Sequence, residues 1–276
     1  MPHRAIDLDA YFRRIGYGGP TVAIVDTLAI LQAHHAERIP FENIDVLVGR
    51  PVRLDTASLE AKLVRAGRGG YCFEQNALFM QALQALGFHV TALAARVLWR
   101  RPADTVTPRT HMLLRVDLPE GAYLADVGFG GATPTAPLRL DPGSQQRTPL
   151  EPFRLANHGT YLELHIFQED AWSPLYRFSL EPQHPIDLDL GNWYVATHPE
   201  SFFRNHLLAA RVTATGRHGL LDRDYSWRDA TGALSENRHI VEPTDLLDVL
   251  EDRFELTLTA EDRDAVASRL AALPSA

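Results

Sequence analysis

The sequence contains one cysteine, Cys72, and its neighbours suit it for nucleophilic chemistry. Gly69 and Gly70 precede it in a turn, and an apolar run with helical spacing follows it without a break. The pattern therefore places Cys72 at the N-terminus of a helix, where unpaired N–H groups and the helix dipole favour a thiolate over a thiol. The alternative role is a buried structural thiol, since free cysteine is among the most buried residue types.

Cysteine catalysis also needs a base that reaches the sulfur and a third group that orients the base. His111 begins a segment of alternating hydrophobicity over residues 111–118, and Asp126 lies near the end of the next such segment. A four-residue hairpin loop over residues 118–121 puts Asp126 opposite Leu113 and diagonal to His111 on one face. A shift of one residue in register would put the two side chains on opposite faces.

Each of these residues also has a structural interpretation. Taken singly, His111 could be a half-buried histidine of a strand, and Asp126 could be a turn residue ahead of Gly128. The other histidines lack an acidic partner across a short hairpin, and their spacing shows no metal-ligand pattern. A single cysteine excludes an internal disulfide and a cysteine-based zinc site. We therefore expect no metal.

The elements that must position these residues change in character near residue 88. Helical periodicity predicts helices at residues 8–15, 21–36, 59–65 and 72–86. Strand patterns follow at residues 90–99, 111–118, 122–127, 161–167, 176–180 and from residue 212 onward. The chain is predicted to form a proline-rich loop over residues 132–152, an irregular aromatic bridge over 192–206, and two helices over 244–270. The order predicts a helical part, a β part and a smaller mixed part.

Composition narrows the function classes. The chain has 276 residues, 45% hydrophobic and 22% charged, which is typical of a folded soluble protein. A formal net charge of −8 argues against general binding to nucleic acids or anionic membranes, both of which favour basic patches. The N-terminal segment lacks the apolar core of a signal peptide, and no apolar stretch is long enough to span a bilayer. We therefore expect a cytoplasmic protein.

Several motifs resemble one enzyme family. The segment RGGYCFEQN, residues 68–76, resembles the active-site signature of the arylamine N-acetyltransferases. Other segments resemble that family in the same order along the chain: YFRRIGY at 11–17, His35 with IPFEN at 39–43, DVGFG at 126–130, NWYV at 192–195 and HPESF at 198–202. The match covers residues 8–210, and the last sixty residues carry little of the signature.

The resemblance implies an α+β multidomain fold. A helical bundle (residues 1–88) would carry the nucleophilic cysteine, and a β-barrel (89–206) with a bridge at its end would carry histidine and aspartate. An α/β lid (207–276) would follow. In the family the first two domains are arranged as in papain-like cysteine enzymes.

The resemblance also implies an activity. Cys72, His111 and Asp126 match the catalytic triad of the family. The expected enzyme is an acetyl-CoA-dependent arylamine N-acetyltransferase that works by a ping-pong reaction. Acetyl-CoA would donate the acetyl group through a Cys72 thioester to arylamine, arylhydrazine or hydroxylamine acceptors, as in xenobiotic metabolism.

Three phenylalanines are candidates for an aromatic acceptor pocket: Phe41, Phe129 and Phe202. Phe129 matches a substrate-contact position of the family, and ring stacking would suit a flat acceptor. For any single phenylalanine, ordinary core packing is the alternative. The glycines of residues 128–131 would let the backbone approach a ligand, and the family's CoA passes near this segment. Gly130 and Gly131 are therefore candidate CoA-binding residues.

Two charged residues in apolar surroundings, Glu42 and Arg68, are predicted to form a structural ion pair beneath the nucleophile turn. Other interpretations of the whole chain stay open. The same triad could serve a cysteine hydrolase or a transglutaminase-like enzyme that takes an acyl group from a peptide, or it could be inert in a ligand-binding module. The sequence leaves open the physiological acceptor and whether the protein is a monomer or a homo-oligomer.

Overall fold

The computed structural model describes residues 5–102 and 105–272. Its first part is helical, as the sequence predicts. The helices are α1 (Leu8–Ile15), α2 (Val25–Arg38), α3 (Ile44–Leu47), α4 (Thr56–Leu59) and α5 (Cys72–Ala85). A short strand, β1 (Phe41–Glu42), precedes α3, and a π-helical turn (Glu60–Arg65) continues α4. Helix α1 ends where predicted, because Gly16 adopts the left-handed conformation with a φ of 68°.

Within the described residues, an eight-stranded antiparallel sheet follows. Its strands are β2 (His89–Val97), β3 (Arg109–Leu118), β4 (Gly121–Ala125), β5 (Leu138–Arg139), β6 (Gln145–Gln146), β7 (Phe153–Asn157), β8 (Leu162–Gln168) and β9 (Ala171–Phe178), in the order β5-β4-β3-β2-β9-β8-β7-β6. The side chain of Gln146 on β6 bonds both backbone groups of Arg139 on β5, at 2.7 and 2.9 Å. The two edge strands therefore meet, and the sheet is barrel-like and nearly closed.

The β3–β4 hairpin has the register on which the site depends. The strands remain paired up to Leu118↔Gly121, which leaves a loop of two residues rather than the predicted four. The register is nevertheless the predicted one. Past the end of β4 it puts Asp126 opposite Leu113, and His111 lies two residues from Leu113 on the same face.

The prediction of an irregular bridge over residues 192–206 is wrong in its first half. The chain forms a helix, α6 (Pro185–Thr197), and after a break a short helix, α7 (Phe202–Asn205). Helix α6 starts with proline in its first turn, and Asp187 accepts a hydrogen bond from the N-cap backbone. Its apolar side chains do not lie on one buried stripe, and Trp193 is 60% exposed. Hydrophobic periodicity therefore does not reveal this helix.

The last part of the chain forms a second antiparallel sheet with two helices. Its elements are β10 (Leu208–Thr213), β11 (Gly216–Leu221), β12 (Asp224–Asp229), β13 (Leu234–His239), α8 (Pro243–Asp252) and α9 (Ala260–Ala272). Strand β1 extends this sheet by pairing with β10. A strand from within residues 1–88 thus belongs to the sheet of residues 207–276, so the predicted domain limits do not isolate this sheet. The papain-like arrangement and the lid remain predictions.

Among the described residues, the buried apolar side chains form three clusters. One packs the first helices against β3 and β4, the second fills the barrel-like sheet, and the third joins the C-terminal sheet to α8 and α9. Met112 and Leu114 belong to the first cluster and Leu113 to the second, so the two faces of β3 alternate as predicted. In the part of the chain that the structure describes, no helix has the length and apolar character that crossing a bilayer requires.

Candidate active site

Cys72 is the first residue of α5, as predicted, and its side chain is buried. The preceding turn packs tightly against the segment that contains β1. A Cβ on Gly69 would lie 2.1 Å from the carbonyl oxygen of Pro40, so only glycine fits there. The N–H of Gly70 donates to that same oxygen at 3.3 Å, and the N–H of Glu42 donates to the Gly70 carbonyl at 3.1 Å. The nucleophile turn is therefore anchored before the helix begins.

The structure brings the three predicted residues together. His111 Nε2 donates to Asp126 Oδ2 at 2.7 Å, and both side chains are buried. The Cys72 sulfur lies 3.5 Å from the carbonyl oxygen of Thr110, the residue before His111. Because Asp126 takes Nε2, the other ring nitrogen of His111, Nδ1, is the one that can exchange a proton with the sulfur.

The pKa of His111 reflects these neighbours. Burial alone would lower the pKa of the imidazole, but the Asp126 carboxylate and the interaction with Cys72 raise it to about 10. Burial would likewise raise the pKa of Asp126, but His111 and further hydrogen bonds lower it. Both shifts favour an imidazolium paired with a carboxylate at neutral pH.

The Asp126 carboxylate has three more hydrogen-bond donors besides His111. The Asn76 amide donates at 3.0 Å, the Gly128 N–H at 2.9 Å and the Tyr176 hydroxyl at 2.9 Å. The sequence predictions gave no role to Asn76 or Tyr176. Helical spacing does signal Asn76, because it lies one turn after Cys72 on the same face of α5. No local signal connects Tyr176, on β9, to this site.

Asn76 also joins α5 to the β3–β4 hairpin. Its amide nitrogen donates to the Met112 carbonyl at 2.8 Å, and its oxygen accepts from the Val127 N–H at 3.1 Å. A Cβ on Gly128 would lie 2.8 Å from the Cα of Cys72, so glycine permits the close approach. The start of α5 therefore docks directly on the segment that carries Asp126.

A buried layer of charged side chains lies under the nucleophile turn. Arg68 donates to Glu42 at 2.7 and 3.0 Å, which confirms the predicted ion pair. Arg68 also reaches Asp262 on α9 at 3.2 Å. Lys62, the single lysine of the sequence, lies 2.8 Å from Glu74 on α5. These ion pairs join the nucleophile turn, α5 and the C-terminal helix.

Within this layer, Glu74 caps the nucleophile helix. Its Oε2 accepts a hydrogen bond from the Tyr71 N–H at 3.1 Å. Burial raises the pKa of Glu74 to about 7, Lys62 opposes that shift and the nearby Glu42 carboxylate adds to it. Because Tyr71 immediately precedes Cys72, this cap fixes the backbone conformation at the residue that carries the sulfur.

The predicted aromatic and glycine residues lie at different distances from His111. The rings of Phe129 and His111 are nearly perpendicular, with centroids 5.0 Å apart. Phe41 is buried, and a Cβ on Gly130 would lie 3.6 Å from its ring. Gly130 has a φ of 65° and begins a 3₁₀ turn, whereas Gly131 is exposed with open space around its Cα. The site beside His111 is therefore lined by Phe129, then by Gly130, and then by Phe41.

Phe203, which was not among the sequence candidates, lies next to Phe41. The Phe41 and Phe203 rings lie 5.9 Å apart, and Phe203 lies 5.7 Å from the Tyr71 ring. Phe202 is 43% exposed and packs on His206. Both phenylalanines are on α7, so a helical turn decides which of two adjacent rings points inward.

The described residues contain no group of three or more histidine, cysteine, aspartate or glutamate side chains arranged to hold a metal. The three predicted side chains of the buried site supply a sulfur, an imidazole and a carboxylate. Such a set can transfer an acyl group through a covalent thioester.

Comparison with known proteins gives a consistent result. The N-acetyltransferase family model matches residues 24–263. The arylamine N-acetyltransferase of Mycobacterium tuberculosis is 42% identical over 271 residues, which cover 96% of this chain and 95% of the relative. The chain belongs to the arylamine N-acetyltransferase family. It is an acetyltransferase, and the resemblance seen in its motifs is confirmed.

Two further members of the arylamine N-acetyltransferase family are informative. The Salmonella typhimurium relative, named arylamine N-acetyltransferase / N-hydroxyarylamine O-acetyltransferase, is 39% identical over 269 residues, covering 98% of this chain and 95% of that protein. The structure of the Mycobacterium marinum enzyme in complex with CoA superimposes with a TM-score of 0.92 at 41% identity, over 97% of this chain and 99% of that one. The similarity therefore includes the C-terminal region, where the sequence motifs are weakest.

The buried ion pair predicts a large effect of Arg68→Ala. The substitution leaves the Glu42 carboxylate buried without its guanidinium, so we expect the free energy of unfolding to fall by about 3–5 kcal/mol. Urea denaturation measures this. The matched control is Arg109→Ala, because Arg109 pairs with Glu181 at 3.4 Å with both side chains exposed. A loss of at most about 1 kcal/mol is expected there. Equal losses in the two variants would contradict the prediction.

The His111–Asp126 pair predicts a pH-dependent contribution to stability. The pKa of His111 is raised from 6.5 to about 10, so its contribution is complete below about pH 6.5 and is lost as the pH rises through about 10. We therefore expect the difference in unfolding free energy between wild type and His111→Gln to shrink from about pH 6 to about pH 10. Denaturation at several pH values measures this difference. Stability at each pH is compared between the two proteins in the same buffers. A difference for His111→Gln that does not change with pH would refute the prediction.

Proposed function

We propose that the protein transfers an acetyl group from acetyl-CoA to arylamines, arylhydrazines or hydroxylamines through an acetyl thioester on Cys72. The observation that carries the proposal is the buried arrangement in which Cys72 interacts with His111 and His111 with Asp126. His111 Nε2 lies 2.7 Å from Asp126 Oδ2. The CoA complex of the Mycobacterium marinum enzyme supports acetyl-CoA as the donor. The name of the Salmonella relative supports hydroxylamines among the acceptors.

The first half-reaction is the acetylation of Cys72. The thiolate of Cys72 attacks the thioester carbonyl of acetyl-CoA, and a bond forms between that carbon and the Cys72 sulfur. The bond between the carbon and the CoA sulfur then breaks, and the leaving thiolate takes a proton from the His111 imidazolium. Asp126 stabilises the imidazolium before transfer and keeps the ring in one orientation.

The second half-reaction needs His111 as a base. Acetylation removes the negative charge of the Cys72 sulfur, and that charge is one of the causes that raise the pKa of His111. His111 has already given its proton to CoA, and the loss of this charge favours the neutral ring. His111 can therefore take a proton from the attacking amine. Arylamines suit this step because their conjugate acids have low pKa values, so the free base is present at neutral pH. Cleavage of the thioester returns the thiolate and the imidazolium.

The backbone supports the oxyanion that forms in both steps. Cys72 is the first residue of α5, so its N–H has no acceptor within the helix and can donate to the developing negative charge. The loss of one such donor typically costs about 2.7–4 kcal/mol of transition-state stabilisation. The positive end of the helix dipole acts in the same direction.

Acceptor binding is assigned to the aromatic residues beside the triad. Phe129 and Phe41 flank Gly130, and Phe203 packs on Phe41, so a flat ring can stack near the sulfur. We call the rings of Phe41, Phe129 and Phe203 the aromatic wall. The 3₁₀ turn that begins at Gly130 lies against Phe41, and we assign Gly130 and Gly131 to the CoA side of the site. Phe202 is assigned only a weak contact at the edge of the site, because its ring is 43% exposed.

Formation of the proposed thioester on Cys72 can be tested directly by mass measurement. Wild-type protein mixed with acetyl-CoA should gain the mass of one acetyl group, and Cys72→Ser should gain none while it retains the same fold by circular dichroism. Peptide mapping should place the group on Cys72. A wild-type protein that gains no acetyl group would overturn the proposal. Acylation by a peptide ester and not by acetyl-CoA would favour the hydrolase or transglutaminase-like alternative.

The aromatic wall predicts a change in acceptor affinity. Phe203→Ala and Phe41→Ala should each raise the KM for an arylamine about 10-fold, because a ring contact of roughly 0.5–1.5 kcal/mol and apolar area are lost. Steady-state kinetics with a panel of aromatic amines measures this. Phe202→Ala is the matched control from the adjacent position and should change KM less than about 2-fold. A larger effect at Phe202 than at Phe203 would reverse the assignment.

A further inference from the structure

A buried amide lies next to the nucleophile turn without touching the triad. Gln75, the residue before Asn76 on α5, is fully buried. Its Nε2 lies 2.8 Å from the carbonyl oxygen of Pro40, 3.1 Å from that of Ile39 and 3.2 Å from that of Gly70. All three groups are acceptors only, so the amide nitrogen must face them and its two hydrogens are shared among them.

The oxygen of the Gln75 amide also has a hydrogen-bond partner. Gln75 Oε1 lies 2.7 Å from Nε2 of His35, and Nδ1 of His35 lies 2.9 Å from the hydroxyl of Tyr11. Because the amide oxygen can only accept, His35 must carry its proton on Nε2, and Tyr11 must then donate to Nδ1. Burial lowers the pKa of His35 to about 4, so the ring is neutral at physiological pH. Proton positions are thus set from Tyr11 through His35 to Gln75.

The three carbonyls belong to the two segments that must meet at the active site. Phe41 and Gly70 form a parallel bridge, in which the Glu42 N–H donates to the Gly70 carbonyl. Phe41 is part of the aromatic wall, and Gly70 lies two residues before Cys72. A single bridge of this kind is a weak connection by itself. The Gln75 amide binds both segments and therefore adds the contacts that keep the wall at a fixed distance from the sulfur.

We propose that Gln75 is a positioning residue that holds the Phe41 segment and the Cys72 turn in register, and that His35 fixes the orientation of its amide. The inference rests on the proposed function, because it concerns how far the acceptor pocket lies from the acetyl thioester. If the amide rotates, an NH₂ group replaces Oε1 at His35 and an oxygen faces three carbonyl oxygens. The two segments then separate.

The variants follow from this geometry. His35→Phe keeps a ring of similar size but removes the donor to Gln75 and the acceptor for Tyr11. His35→Gln places an amide N–H where the ring Nε2 was, so it is expected to restore the contact with Gln75. Gln75→Leu removes the amide altogether. Leu31→Ala is the control. Leu31 is a fully buried residue of α2, the helix that carries His35, and it belongs to the apolar cluster that contains Tyr11 and Cys72. It takes no part in the hydrogen bonds from Tyr11 to Gln75.

Three measurements on the full-length variants test the proposal: thermal unfolding, transfer of acetyl from acetylated Cys72 to an aromatic amine in a single turnover, and alkylation of Cys72 by iodoacetamide at about pH 6. We expect Gln75→Leu and His35→Phe to slow the transfer about 100-fold, the effect of a misplacement of about 1 Å. Alkylation should slow about 10-fold, since the turn that aims the sulfur at His111 is loosened. His35→Gln should recover most of both rates.

The control separates positioning from stability. Leu31→Ala should lower the unfolding temperature at least as much as His35→Phe and leave both rates within about 3-fold of wild type. If it slows them as much as His35→Phe does, or if His35→Gln fails to recover them, the proposal is overturned. If Gln75→Leu does not fold, the comparison of His35→Phe with His35→Gln decides the outcome. Failure of the proposed function has a different signature, because wild type would then alkylate rapidly yet accept no acetyl group.

Discussion

A carboxylate with no exposure to solvent must find its hydrogen bonds inside the protein, and Asp126 imposes that requirement on its surroundings. It receives hydrogen bonds from His111, from Asn76 and Tyr176, and from the backbone that follows it. The three side-chain donors come from separate elements, β3, α5 and β9. The helix that carries the sulfur therefore docks on the barrel-like sheet because one buried charge needs partners from both. The same charge keeps the imidazole protonated, so the electrostatic state of the site and the packing of the fold have one cause.

A second set of buried charges supports the site from below. Arg68 pairs with Glu42 and with Asp262, and Lys62 pairs with Glu74, the residue that caps the nucleophile helix. Buried ion pairs contribute little net stability compared with apolar packing, but they cost much when one partner is missing. We infer that this layer contributes specificity, because the turn before Cys72 can adopt only the conformation in which every charge has its partner. Asp262 extends this condition to the C-terminal helix α9.

The segment containing β1 connects the chemistry to the proposed recognition of the acceptor. It pairs with β10 on one side and with Gly70 on the other, so the aromatic wall is attached to both the C-terminal sheet and the nucleophile turn. Phe41 and Phe203 meet across this junction, and Asn43 holds the backbone of α7 through the carbonyls of Phe203 and His206 at 2.7 and 2.8 Å. Changes in the C-terminal region can therefore affect the proposed acceptor pocket without touching the triad.

The sequence by itself determined the features that depend on short-range order. The helix start at Cys72, the end of α1 at Gly16 and the register of the β3–β4 hairpin follow from glycine turns and from apolar periodicity within about fifteen residues. Its motifs also identified the family, and with it the three residues of the site and their order. Tertiary structure alone decided that Tyr176 completes the shell of Asp126, that Asp262 joins the charged layer and that Phe203 rather than Phe202 turns inward. These contacts join residues 50 to 194 positions apart or depend on the rotation of a single helical turn, and neither leaves a periodic signal in the sequence.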